Sequence, residues 1–129
     1  MTKVVAILQA RMSSSRLPGK VLLDLGGRSV LSRMVERVRF AKRVDQVVVA
    51  TTLDPSDDPI VDWCQREGVD LFRGSLPDVL DRYYQAALLY EADVIVRLTG
   101  DCPLIDPSLI DNVVQALIEK QVDFACNRL

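Results

Sequence analysis

A chain of 129 residues, 49% hydrophobic and 26% charged, has the make-up of one soluble globular domain. Its 16 Lys and Arg against 18 Asp and Glu leave a net charge of −2, which argues against a generic polyanion or nucleic-acid binder while allowing a local basic patch. No histidine is present, which excludes Ser-His-Asp and Cys-His nucleophile systems, His-based metal sites and the commonest general base.

Residues 4–8 form a continuous, β-branched apolar run, too short for a helix, that reads as a buried strand. Gln9 and Arg11 end it too early for a signal-peptide core, and no apolar stretch approaches the ~20 residues of a membrane span. Residues 11–20 are a loop with a serine cluster and a Pro-Gly turn, and Gly26-Gly27 is a second break. From Ser29, an N-cap, the pattern turns helical, with Leu31, Met34, Val35 and Val38 at i, i+3, i+4 and i+7. Residues 47–50 predict a second strand. The turn Asp54-Pro55-Ser56-Asp57-Asp58-Pro59 leads into a helix over about 59–67, closed by Gly68. Residues 69–72 read as a third strand, and Pro77 opens a helix to about Tyr90 with Leu80, Tyr83, Ala87 and Tyr90 near one face. Residues 94–98 predict a fourth strand. Asp106-Pro107 is a strong helix start, followed by the stripe Leu109, Ile110, Val113, Val114 and Leu117. Residues 122–125 predict a fifth strand, and the segment 122–129 looks cut short because no closing helix follows.

Apolar strands alternating with amphipathic helices indicate a parallel sheet covered on both faces. Ligands of such sheets bind beyond the C-terminal strand ends, near the point where strand order reverses. The chemistry is therefore expected in segments 9–20, 51–58 and 99–106. Cys64, Cys102 and Cys126 lie far apart without a Cys-x-x-Cys pair, which excludes a zinc ribbon or thioredoxin-type site and points to a reduced, cytoplasmic setting.

The first segment holds Arg11, Arg16 and Lys20 with Ser13, Ser14 and Ser15 between them. Three cations and three hydroxyls at the end of a strand suit a polyphosphate, although a solvated basic loop has the same composition. It is not a P-loop: Gly19-Lys20 fits, but Ser14 stands at the first glycine and Val21 at the Mg-binding hydroxyl. The segment Thr99-Gly100-Asp101-Cys102-Pro103 offers a glycine for close backbone approach and a carboxylate suited to Mg²⁺, or else only an Asx-turn before Pro103. Cations for a triphosphate facing a metal carboxylate fit phosphoryl or nucleotidyl transfer, which needs no His or Cys nucleophile.

The run Leu8-Gln9-Ala10-Arg11-Met12-Ser13-Ser14-Ser15-Arg16-Leu17-Pro18-Gly19-Lys20 resembles the signature of the sugar-acid cytidylyltransferases, which include CMP-Kdo synthetases and acylneuraminate cytidylyltransferases. It looks nearest to the branch named after spore-coat polysaccharide biosynthesis protein F. Asp78-Val79-Leu80-Asp81-Arg82-Tyr83 and the block from Arg97 to Asp106 resemble further blocks of that branch, so the likeness spans essentially the whole chain. The resemblance implies a three-layer α/β/α, Rossmann-like nucleotide-diphospho-sugar transferase fold with a mostly parallel sheet, residues 1–129 forming a single CTP-binding domain. It implies CMP transfer from CTP to a sugar, usually acidic, with Mg²⁺ and release of pyrophosphate. By matching positions, Arg11, Arg16 and Lys20 would bind the triphosphate, Gln9 and Ala10 would border cytosine, Arg82 would belong to the nucleotide pocket and Asp101 would ligate the metal. Arg11, Lys20 and Asp101 would then act in catalysis, with Ser13, Ser14 and Gly100 alongside the phosphates. CMP-Kdo synthetases carry Ser-Gly-Thr where Asp78 stands, so the resemblance assigns Asp78 no role; they carry Gln at Thr99, near the sugar acid, and Glu at Cys102, and these two departures argue against Kdo as acceptor. The family extends about 100 residues further, an order-of-magnitude figure from domain sizes, and that part would supply a second metal carboxylate, much of the sugar pocket and a homodimer interface.

Trp63 and Cys64 read as packing, and Tyr83, Tyr84 and Tyr90 as a helix face with polar tips at the surface. Asp54, Asp57 and Asp58 could approach a metal, but the neighbouring prolines favour turn and capping roles, and Arg39, Lys42 and Arg43 read as complements to a helix C-terminus. A nucleotide-binding or regulatory module without turnover, and a nucleotidyltransferase for another base, are the alternative functions.

Overall fold

The computed structural model describes residues 2–13, 19–99 and 105–121. Four strands, β1 (Val4–Gln9), β2 (Gln46–Thr52), β3 (Asp70–Gly74) and β4 (Val94–Thr99), form one sheet of order β3-β2-β1-β4. All three pairings are parallel. The helices are α1 (Val30–Arg39), α2 (Asp58–Glu67), α3 (Val79–Leu89) and α4 (Pro107–Glu119).

The unbroken apolar run of β1 is explained by its place: it lies between β2 and β4 and is buried on both faces. Val4, Ala6 and Leu8 pack with Met34 and Val38 of α1, Ile60 and Trp63 of α2, and Ile110 and Val114 of α4. Val5 and Ile7 turn the other way, onto Tyr83, Ala86 and Ala87 of α3. The result is three layers, α/β/α. The connections β1-α1-β2 and β2-α2-β3 step one way across the sheet, and β3-α3-β4 jumps back over two strands. Right-handed crossovers put the helix on the opposite face when the direction reverses, so α3 faces α1 and α2 across the sheet. The reversal lies between β1 and β4, and there the loops leaving both strands diverge.

Local signals place the helix ends. The Ser29 side chain accepts from the Ser32 amide, Asp78 from Asp81, and Asp106 from Ser108. Gly68 closes α2 at φ +66, a conformation that disfavours any side chain.

Some expectations shift. The helix expected from Pro77 starts at Val79, because Asp78 supplies the cap and Pro77 falls outside. Leu80, expected on its buried face, is 74% exposed: the sheet-facing spacing is Tyr83, Ala86, Ala87, which leaves Leu80, Tyr84 and Leu88 outward. The third strand runs two residues further than its apolar core, since Thr51 and Thr52 pair with Arg73 and Gly74 through the backbone. In α4 only Ile110 and Val114 are buried, and Leu109 is exposed. The fifth strand expected at 122–125 lies outside the described residues.

Candidate nucleotide site

Gln9, the last residue of β1, stands opposite Ala50 on one side and Thr99 on the other. The basic loop therefore leaves β1 directly beside the end of β4, two residues before Asp101 in the chain. The Ala10 amide extends the sheet by donating to the Ala50 carbonyl at 3.0 Å, which buries Ala10 and delivers Arg11 to the sheet's C-terminal edge. The loop then closes on itself: the Gly19 amide donates to the Met12 carbonyl at 2.6 Å. Gly19 adopts φ +74, where its absent side chain leaves the return path unstrained. Lys20 opens a 3₁₀ turn, Lys20–Leu22, anchored by the buried Val21. Arg11 and Lys20 thus stand at the two ends of one closed loop, both half-buried, with Ser13 exposed. Ser14, Ser15 and Arg16, and on the β4 side Gly100, Asp101 and Cys102, lie outside the described residues.

Arg82 is completely buried at the start of α3. Its Nε donates to the Ser75 carbonyl and Nη2 to the Leu76 carbonyl, each at 3.0 Å, while buried Nη1 has no partner among the described residues. Burial, and then the positive charge of Arg11, pull its pKa below the ordinary guanidinium value, and Tyr83 and Asp57 oppose the shift. An orphaned, buried, charged donor costs free energy unless something arrives to accept from it. Gly74 makes room for this side chain: a Cβ there would lie 3.0 Å from Arg82 Cγ and 2.7 Å from Phe72 Cε2.

Next to Arg82, Tyr83 ties α3 to β4. Its hydroxyl donates to the Leu98 carbonyl at 2.9 Å, and the Arg97 guanidinium lies 4.8 Å from its ring centroid. Burial pushes the Tyr83 phenol up, opposed by Arg97. The hydroxyls of Tyr83 and Tyr90 thus bind carbonyls of β4 and β3 instead of pointing to solvent as expected; only Tyr84 is a surface tyrosine.

The three acids after β2 divide. Asp54 caps the following 3₁₀ turn through the Ser56 amide, and these hydrogen bonds hold its carboxyl below the usual range. Asp58 pairs with Arg73 at 3.0 Å. Asp57 makes no capping bond; fully buried, it accepts from the Met12 amide at 2.7 Å and from the Thr52 hydroxyl. Sequence reasoning gave it a local role, because nothing within a few residues signals a bond across the fold. Trp63 and Cys64 are buried packing residues as expected, and burial pushes the Cys64 thiol up to about 12. Among the described residues, no group of three or more Cys, Asp or Glu could hold a metal ion, and no helix is long and apolar enough to cross a membrane.

Comparison with known proteins bears on this geometry. A family model described as cytidylyltransferase matches residues 5–127, a stretch that includes both the basic loop and the Gly100-Asp101 block. The chain belongs to the cytidylyltransferase family. The spore coat polysaccharide biosynthesis protein SpsF of Bacillus subtilis is 41% identical over 128 residues, covering 96% of this chain and 53% of SpsF. An uncharacterized protein of Methanocaldococcus jannaschii is 46% identical over 98% of this chain and 52% of its own length. Among solved structures, a cytidylyltransferase from Leptospira borgpetersenii superposes with TM-score 0.88 at 45% identity, over 94% of this chain and 51% of the other. A CMP:2-keto-3-deoxy-manno-octonic acid synthetase complexed with CTP superposes with TM-score 0.83 at 31% identity, over 94% and 49%. The fold is accordingly the Rossmann-like fold of nucleotidyltransferases, and the chain spans about half the length of the curated relatives it matches.

Proposed function

We propose that this cytidylyltransferase-family chain binds CTP at the β1/β4 switch point and provides the nucleotide-binding part of a CMP transfer to an acidic sugar, in polysaccharide synthesis. The observation that carries the reading is the closed basic loop, with Arg11 and Lys20 at its ends, set in register beside the strand that leads to Asp101. In the reaction the acceptor hydroxyl oxygen forms a bond to the α-phosphorus of CTP and gives up its proton to water, the bond to the bridging oxygen breaks, and pyrophosphate leaves. Arg11 and Lys20, with Arg16 from the same loop, oppose the charge that builds on the phosphates. Arg82, its guanidinium held by two carbonyl contacts, would offer the nucleotide the Nη1 donor that has no partner among the described residues. Gln9 and Ala10 border the base. Asp101 supplies the carboxylate for Mg²⁺, a donor type that suits this hard cation, which holds few protein carboxylates and otherwise phosphate oxygens and water. Bound there, Mg²⁺ would withdraw charge from the triphosphate.

Calorimetry of the purified chain with CTP, UTP, ATP and GTP, each with Mg²⁺, tests the reading. CTP should bind most tightly, and equal affinities would remove the cytidine assignment. A module that binds nucleotide without turnover is the second reading. Pyrophosphate release from CTP with an acidic sugar present separates the two.

A further inference from the structure

Asp57 is a fully buried carboxylate for which the phosphate-binding reading has no use. Burying a carboxylate is costly unless its oxygens are hydrogen-bonded, so its partners show what keeps it there. At the N-terminus of α2 it could cap the helix locally, yet its side chain makes no such bond. Instead Oδ1 accepts from the Met12 amide, 45 residues away in sequence, at 2.7 Å, and the Thr52 hydroxyl donates to Oδ2. The Met12 carbonyl accepts from the Gly19 amide. Met12 is therefore fixed at both backbone polar groups. Arg11 precedes it, and Lys20 follows the residue bonded to it.

The geometry points to a role for Asp57, which we propose is the positioning residue of the polyphosphate loop: through the Met12 amide it sets where Arg11 and Lys20 stand, without touching the nucleotide itself. This rests on the phosphate-binding reading above. The negative charge of Asp57 also favours the charged form of Arg82, so the carboxylate lies within electrostatic reach of the pocket's buried guanidinium. Asp57→Asn keeps a neutral oxygen for the Met12 amide, whereas Asp57→Ala removes the acceptor.

Three probes are titrated into the chain: CTP with Mg²⁺, inorganic tripolyphosphate, and cytidine. Asp57→Ala should weaken CTP and tripolyphosphate by about tenfold to a hundredfold, the range of one hydrogen bond to a charged acceptor. Cytidine should stay within about twofold, and Asp57→Asn should recover most of the lost affinity. Amide exchange on the ligand-free proteins should show the Met12 amide deprotected by Asp57→Ala while the β1 and β2 amides remain protected. If Asp57→Ala does not fold, Met12→Pro removes the same donor and takes its place. Equal losses for cytidine and the two phosphate ligands, or an unchanged Met12 exchange rate, would overturn the positioning role. A parent that binds tripolyphosphate but shows no preference for CTP defeats the cytidylyl reading alone, and the tripolyphosphate series then decides the role of Asp57. A parent that binds neither phosphate ligand overturns both.

Discussion

Replacing Gly74 by alanine sets two physical effects against each other. By propensity the change should help: glycine inside a strand weakens it by about 0.5–1 kcal/mol relative to alanine, and Gly74 is not in the left-handed region. By packing it should harm. The added Cβ would stand 2.7 Å from Phe72 Cε2 and 3.0 Å from Arg82 Cγ, both inside van der Waals contact. The Phe72 ring edge can tilt; Arg82 cannot follow easily, because it is fully buried and its guanidinium is bonded to the carbonyls of Ser75 and Leu76. Overpacking costs about 1–3 kcal/mol, so after the propensity gain the net loss should centre near roughly 1 kcal/mol and reach at most about 2.5 kcal/mol. For a domain of this size that is a fall in Tm of roughly 2–10 °C. Thermal melts of the parent, Gly74→Ala and the double variant Phe72→Leu with Gly74→Ala are the assay. The double variant should recover part of the loss, since the shorter side chain removes the tightest contact. A Gly74→Ala protein as stable as the parent, or more so, would refute the claim that Gly74 is small to make room for Arg82.

Other predictions concern charge. Lys20→Ala should weaken CTP binding by about 1.5–3 kcal/mol and leave cytidine binding nearly unchanged, read by calorimetry; equal losses would make the loop's role structural. Asp101→Asn should keep the fold and abolish the strengthening of CTP binding by Mg²⁺, and a magnesium response unchanged in a folded variant would remove Asp101 as the ligand. The Cys64 thiol is neutral in the fold up to about pH 12 but ionises near its usual value of 9.0 when the chain unfolds. Between those values the unfolded state holds fewer protons, so stability should fall as pH rises from about 9 towards 12; denaturant midpoints of Cys64→Ala and the parent across that window should show a smaller fall in the variant.

What could be read from the sequence was what short-range physics decides. Ser29 and Asp106 are caps whose partner amides lie within three residues, so residue type and position suffice to find a helix start; at α3 the proline at 77 drew the start away from the Asp78 cap. The continuous apolar run of β1 specifies burial on both faces, which forces helices onto both sides of the sheet. Leu80 shows the limit of that reasoning. On α3 both Leu80 and Ala86 fit an apolar face, and the choice between them depends on where Val5, Ile7 and Val48 present their side chains from two other strands.

The site divides in the same way, and the division follows from electrostatics. Arg11 and Lys20 are legible because three cations and three hydroxyls within ten residues are an unusual local composition that residue types alone reveal. Asp57 and Arg82 are buried polar groups, and the favourable state of such a group is defined by its partners alone. Asp57 finds Met12 across 45 residues; Arg82 finds the carbonyls of the β3-α3 turn and keeps one donor without a partner among the described residues. No local pattern of residue types marks either arrangement, since the same Asp could cap its own helix and the same Arg could reach solvent. Only a family resemblance pointed to Arg82, and nothing pointed to the long-range bond of Asp57. Both buried groups meet the basic loop: Asp57 through the Met12 amide, and Arg82 within reach of the Arg11 charge.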